Sequence, residues 1–225
     1  MKKLKVDFLS LTCDHPVTEI SEALDNMPTH GIDITPWHEK EMVPDARFAI
    51  AHGSDSLFLK YHVTEYNPRV IYTNTNEPVY KDSCVEFFMA FENENAYYNF
   101  EFNILGNALV GYGTDGANRH LLPVHLIRKI RTQTTATMLR ETGEGLVHWQ
   151  LTVVIPLTLF MHHTISSLRG KICSVNFNKC GDDLSDPHFL TWSDIQAEQP
   201  DFHMRRFFGT LEFIDGKRTG SIKQL

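Results

Sequence analysis

The stretch Val85-Glu86-Phe87-Phe88-Met89-Ala90-Phe91, the turn Glu92-Asn93-Glu94-Asn95 and the stretch Tyr98-Asn99-Phe100-Glu101-Phe102-Asn103-Ile104 together decide the fold. In the first stretch Val85, Phe87, Met89 and Phe91 take alternate positions, and Glu86 falls between them. Successive side chains of a strand point to opposite faces, so this period predicts a strand with one apolar face. After the polar turn, Tyr98, Phe100, Phe102 and Ile104 alternate with Asn99, Glu101 and Asn103. The pair reads as a β-hairpin with one core face and one polar face.

The same period recurs on both sides of the hairpin. Leu57, Leu59, Tyr61 and Val63 share a parity, with Lys60 and His62 on the other. Val147, Trp149, Leu151, Val153 and Ile155 repeat it until Pro156, where a short helical turn through Leu157 to His162 can follow. Cys173, Val175 and Phe177 alternate with Ser174, Asn176 and Asn178, and a last strand falls near Phe208 to Ile214. Eight or more short strands with no long helix between them predict an all-β chain. The architecture expected is an antiparallel β-sandwich of jelly-roll or immunoglobulin-like type. Residues 1–45 read differently. Pro16, Pro28, Pro36 and Pro44 interrupt them, and only Thr18 to Met27 has a helical look. They are expected to form an irregular extension packed on a sandwich of residues 46–225.

Composition narrows the function. The chain has 225 residues, 21 basic against 28 acidic, for a net charge of −7. Phosphate contacts need clustered Lys and Arg, so nucleic acid is disfavoured as a partner. No stretch has the 18 apolar residues expected of a spanning helix. The start, MKKLKVDFLSLTCDH, has too short an apolar run for a secretion signal. That predicts a cytoplasmic protein, or a periplasmic or secreted one if the true start lies upstream. The four cysteines, Cys13, Cys84, Cys173 and Cys180, contain no CxxC pair and read as free thiols. Adjacent His162 and His163 point apart in a strand or a helix and do not suit one metal. No GxSxG, HExxH or P-loop occurs, and Gly111-Tyr112-Gly113 reads as a turn fragment.

The polar strand faces carry the functional signal. One of them collects Glu86, Asn99, Glu101, Asn103, Asn176 and Asn178. Amides and carboxylates in such a set suit the vicinal hydroxyls of a neutral polar ligand. Tyr80, six residues ahead of Glu86, and Trp192 flank the set as aromatics able to stack on a sugar ring. Trp37 and Trp149 read as core residues. His188 and His203 flank Trp192 and are candidates to line the same cleft.

At these residues the sequence resembles family 9 of the carbohydrate-binding modules. The resemblance is carried by Val79-Tyr80-Lys81-Asp82-Ser83-Cys84-Val85-Glu86-Phe87-Phe88 and by Tyr97 to Gly106. It continues through Trp149 to Leu157, Val175-Asn176-Phe177-Asn178, Thr191-Trp192-Ser193 and Phe208-Gly209-Thr210-Leu211, in the family's order. It implies a β-sandwich and non-catalytic binding of a mono- or oligosaccharide, often a chain end, in carbohydrate catabolism beside a glycoside hydrolase partner. Tyr80 and Trp192 match the two aromatics that clamp the sugar, Tyr80 standing where a Trp is usual. Glu86 matches an acidic position that hydrogen-bonds sugar hydroxyls, Asn178 matches one often filled by an amide, and Glu101 stands where some members have Arg. Glu86, Asn103 and Asn178 are expected to fix the hydroxyls. No cofactor is expected. Some members hold structural calcium, for which Asp82, Asp182, Asp183 and Asp186 are candidates without an EF-hand loop. Two alternatives stay open. Glu86 and Glu101, if on neighbouring strands, could serve a glycoside hydrolase or its accessory subunit. Related sandwiches also carry haem on Met and His, although Met89 falls on the core face.

Overall fold

The computed structural model describes residues 1–37, 43–92, 94–139 and 145–215. Of the hairpin turn, Asn93 lies outside the described residues. In chain order the elements are β1 (Lys3–Val6), α1 (Val17–Asp25), β2 (His30–Gly31), β3 (Asp45–His52), β4 (Ser56–Tyr66), β5 (Cys84–Phe91) and β6 (Tyr97–Asn103). There follow β7 (Ala108–Gly113), β8 (Arg119–Leu121), α2 (Val124–Ile127), β9 (Arg131–Met138), β10 (Leu146–Pro156), β11 (Ile172–Cys180), β12 (Phe189–Thr191) and β13 (Gly209–Phe213). The larger sheet has the order β1-β13-β11-β5-β6-β7-β8, with β12 also paired to β11. The smaller has the order β2-β3-β4-β10-β9. Every described pairing between named strands is antiparallel except that of β1 with β13.

The two sheets pack through the alternating apolar positions read from the sequence. Leu57, Leu59, Tyr61, Val63, Trp149, Leu151, Val153 and Ile155 of the smaller sheet meet Val85, Phe87, Met89, Phe100, Phe102, Val175 and Phe177 of the larger. Phe48 stacks on Phe177 with ring centroids 3.6 Å apart, and Phe87 sits 5.0 Å from Phe177. Phe thus supplies the middle of the sandwich, as its alternation implies.

The described part of the first 45 residues, 1–37 and 43–45, is less irregular than the prolines suggest. Pairing builds them into both sheets: β1 extends one edge of the larger sheet and β2 one edge of the smaller. Between them, Pro16 stands just before α1, and Ile20 and Leu24, one helical turn apart, bury against Ala49, Ala51, Phe58 and Val154. This is the outer face of the smaller sheet. The small side chains of Ala49 and Ala51 leave room for the helix, and Lys60 on the same face pairs with Asp25 at 2.6 Å and donates to Ser21 Oγ at 2.8 Å. Shortening Ile20 to Val should cost about 0.5–1.5 kcal/mol, a fall in Tm of a few degrees in a chain of this size. An unchanged Tm in a calorimetric scan would mean that α1 is not docked there.

Candidate functional site

The polar face of the larger sheet is not a solvated surface. Asn99 and Glu101 are 1% exposed, and Asn103, Asn176 and Asn178 are fully buried. Segments that precede β5 and follow β11 fold over this face and build a second apolar cluster there around Val79, Phe88, Tyr97, Ile195 and Phe208. The buried amides pin those segments down, because a buried polar group without a partner is costly. Asn103 Nδ2 donates to the Tyr72 carbonyl at 2.7 Å and to Asp82 at 3.1 Å, and its Oδ1 accepts from the Asn107 N–H. Asn176 donates to Thr191 Oγ1 at 2.8 Å and accepts the Ser193 N–H at 2.9 Å.

Where this cover is incomplete a cleft of about 290 Å³ opens onto the sheet. Tyr80, Trp37, Phe189 and Phe202 contribute aromatic walls, and Glu86, Glu101 and Cys180 lie at the sheet itself. Tyr80 is placed by a 3-10 turn, Val79–Lys81, whose Val79 is buried. Trp37 is placed by three ties. Ile34 bridges Thr191 through two backbone hydrogen bonds, the indole Nε1 donates to the Ala197 carbonyl at 3.0 Å, and the ring packs 5.6 Å from Phe202.

Strand register aligns the floor. Glu86 of β5 is directly opposite Glu101 of β6 on one side and Asn178 of β11 on the other. Asn178 Nδ2 donates to Glu86 Oε2 at 3.1 Å, and the Cys180 thiol donates to Oε1 at 3.3 Å. Glu101 Oε1 accepts from Asn99 Nδ2 at 2.7 Å and from Arg119 at 2.8 Å. Glu101 Oε2 is buried without a hydrogen-bond partner, beside the cleft. Arg119 therefore supplies the cation that Glu101 itself does not. Its side chain crosses Gly111, where a Cβ would come within 3.2 Å of Arg119 Cδ and 2.5 Å of Asn99 Oδ1. The Gly-Tyr-Gly fragment read as a turn thus ends strand β7, and Gly111 leaves the space through which Arg119 reaches Glu101.

Burial, then repulsion from Glu101, pushes the Glu86 carboxyl up to about 8. Glu101 is also raised by burial, against the opposing pull of Arg119. Glu86 is thus the member of the pair that keeps its proton at neutral pH. Burial and the Arg119 charge hold His203 down to about 3, so its ring is neutral. Arg119 can only donate, so His203 Nε2 accepts from it at 3.4 Å, and the Nδ1–H is left to donate to the Tyr97 oxygen at 2.7 Å. A carboxyl raised from its ordinary 4.5 contributes stability in full below that value and loses it as the pH rises through about 8. Unfolding stability should fall across this window by at most about 1.4 kcal/mol per pH unit, and Glu86→Gln should flatten the fall. Denaturant titrations at several pH values would show it; equal slopes in the two proteins would contradict the raised carboxyl.

Of the residues singled out from sequence, Tyr80 and Glu86 meet at the cleft. Asn178 lies behind Glu86 and Asn103 beneath the Tyr72 segment, each buried and committed to protein partners. Trp192 is in the inter-sheet core, 4% exposed, with its ring edge-on to Phe48 and Phe177. Register is the reason. Thr191 pairs with outward-facing Asn178, so Leu190 and Trp192 point inward. Trp37, read as core, lines the cleft instead. His203 lines it too, whereas His188 is bonded to Lys179 on the other side of β11. The four aspartates do not form one calcium site. Asp82 is taken up by Arg69, Asn103 and the backbone N–H groups of Ile71 and Tyr72, and Asp183 pairs with Lys81. Met89 is fully buried, which leaves it out of reach of a haem on the surface. No helix among the described residues is long and apolar enough to cross a membrane.

The sequence profile described as carbohydrate-binding family 9 matches residues 18–213. A candidate carbohydrate-binding protein of Bacteroides uniformis has a solved structure similar to this one. The two are 34% identical with a TM-score of 0.86, over 94% of this chain and 99% of that one. A family 9 carbohydrate-binding module from Caldicellulosiruptor kristjanssonii in complex with glucose superposes with a TM-score of 0.57 at 15% identity, over 98% and 100% of the two chains. The cellotriose complex from the same organism gives 0.55 at 13%, over the full length of both chains, and shares the fold. No match to a curated protein is found.

Proposed function

The chain belongs to carbohydrate-binding family 9, and we propose that its cleft holds a neutral mono- or oligosaccharide without cleaving it. The observation that carries this reading is the coincidence, in one cleft, of the half-buried rings of Tyr80 and Trp37 with the unpartnered acceptor Glu101 Oε2. Aromatic faces stack on the axial C–H groups of a pyranose. A buried acceptor gains a full hydrogen bond when a hydroxyl reaches it. Glu86, protonated, can donate as well as accept, and Arg119 adds a donor. Asn178 holds Glu86 in place, and Asn103 holds the segment that leads to Tyr80. The glucose and cellotriose complexes of fold relatives point to the same ligand class.

A few hydrogen bonds plus stacking correspond to Kd between roughly micromolar and millimolar. Calorimetric titration with glucose, cellobiose and cellotriose should show saturable binding that is lost in Tyr80→Ala. Absence of binding to every saccharide on a glycan array at millimolar concentration would sink the reading. An aryl-glycoside panel should show no turnover. Turnover that vanishes in Glu86→Gln would instead make Glu86 and Glu101 a hydrolytic pair.

A further inference from the structure

Cys84 and Cys180 face each other across β5 and β11, and Glu86 follows Cys84 on the same face of its strand. Their two sulfurs and a carboxylate oxygen all lie within 4.8 Å of one another, and all three residues are buried. We propose that Cys84, Cys180 and Glu86 bind one thiophilic divalent cation, with Zn2+ as its representative, at the floor of the cleft. Zinc takes thiolate sulfur at about 2.3 Å and carboxylate oxygen at about 2.0–2.2 Å in a tetrahedron, so its ligand atoms stand about 3.5–3.8 Å apart. The Cys180 sulfur already sits 3.3 Å from Glu86 Oε1, and the remaining separations need only a small inward movement.

The surroundings fit such a site. Asn178 holds the other oxygen of Glu86 at 3.1 Å, the outer hydrogen bond that orients a carboxylate ligand. Glu86 and Cys180 line the cleft, so an ion has a path in from solvent. Glu101, Asp182 and Asp201 line the same cleft against the single guanidinium of Arg119, a field that draws cations. Burial raises the Cys84 thiol to about 11, and the hydrogen bond that Cys180 gives to Cys84, followed by burial, raises Cys180 well above its ordinary value. Metal entry must therefore expel both thiol protons and the proton of Glu86, and affinity must climb with pH. The inference stands apart from saccharide binding, although both use Glu86.

The test uses the reduced full-length protein without saccharide. Titration with Co2+ should give one equivalent of thiolate-to-metal charge-transfer absorption, bleached by Zn2+ and strengthening as the pH is raised from about 6 to about 8. Zn2+ should also slow alkylation of Cys180, read by peptide mass spectrometry, while leaving Cys13 unaffected. Cys180→Ser should weaken binding by about 100-fold or more, and Cys13→Ser should not. If Cys180→Ser fails to fold, alkylation of the wild type decides. No charge-transfer band and no protection, or undiminished binding in folded Cys180→Ser, would overturn the proposal. Saccharide binding is titrated separately, so either result can fail without the other.

Discussion

Trp37→Ala should weaken saccharide binding by at least about 30-fold, or ~2 kcal/mol, the loss that marks a central aromatic anchor. The ring is half-buried and its inner edge is held by Phe202 and Ala197, so its orientation is set before any ligand arrives. Such rigidity matters because a platform that must first be ordered would give up part of its stacking energy. Trp37→Phe keeps an apolar face and should retain most of the affinity, though it loses the tie from Nε1 to Ala197. Trp192 supplies the contrast. Its ring is enclosed by Phe48 and Phe177, and a Cβ on Gly209 would come within 2.4 Å of it. Trp192→Phe should therefore lower Tm and leave the Kd of the folded protein nearly unchanged. Calorimetry on the three variants, each checked for native circular dichroism, separates the two roles. Full affinity in Trp37→Ala together with lost affinity in folded Trp192→Phe would reverse the assignment.

That reversal of the two tryptophans marks where sequence reading ran out. The strands β4, β5, β6, β10 and β11 expose their parity through alternating core residues, whereas β9, eight residues long but polar, carries no such period. Tyr80 and Glu86 were within reach because six residues and one turn fix their relation. Strand β12 has only three residues, too few to show which way Trp192 points without its partner Asn178. Trp37 belongs to a proline-flanked segment with no period, brought to the cleft by the bridge between Ile34 and Thr191. Arg119 sits on a strand of three residues, and what admits it is an absent side chain at Gly111. The Asn-rich face was legible as a surface apart from the main core. Its cover was not, because the covering segments carry no periodic signal. Cys84 and Cys180 obey no local spacing rule, and only strand register sets them face to face.

Register also places a charge where the apolar pattern should continue. Lys179 follows Phe177 on the inner parity of β11, and Glu65 follows Val63 on that of β4, so the core ends in an ion pair that joins the two sheets. Lys179 Nζ lies 2.9 Å from Glu65 Oε2, with the lysine fully buried and the glutamate 2% exposed. Trp149 Nε1 donates to Glu65 Oε1 at 2.7 Å, and Lys179 also contacts the Cys180 carbonyl and His188 Nε2. Lys179→Met should cost about 3–5 kcal/mol, because the carboxylate stays behind in a low-dielectric interior with its main countercharge gone. In a chain of this length that is roughly 6–20 °C of Tm. Glu65→Gln in the same background removes the stranded charge yet keeps an acceptor for Trp149. The double variant Lys179→Met, Glu65→Gln should then recover most of the loss, a coupling that a double-mutant cycle reads directly. Its direction is diagnostic. If the pair mainly contributed attraction, the second substitution would not restore stability. Recovery means instead that the cost lies in desolvating an unpaired charge, and that the pair enforces the meeting of β4 and β11 more than it stabilises it. Additive losses in the two single variants, measured by urea denaturation, would contradict this account.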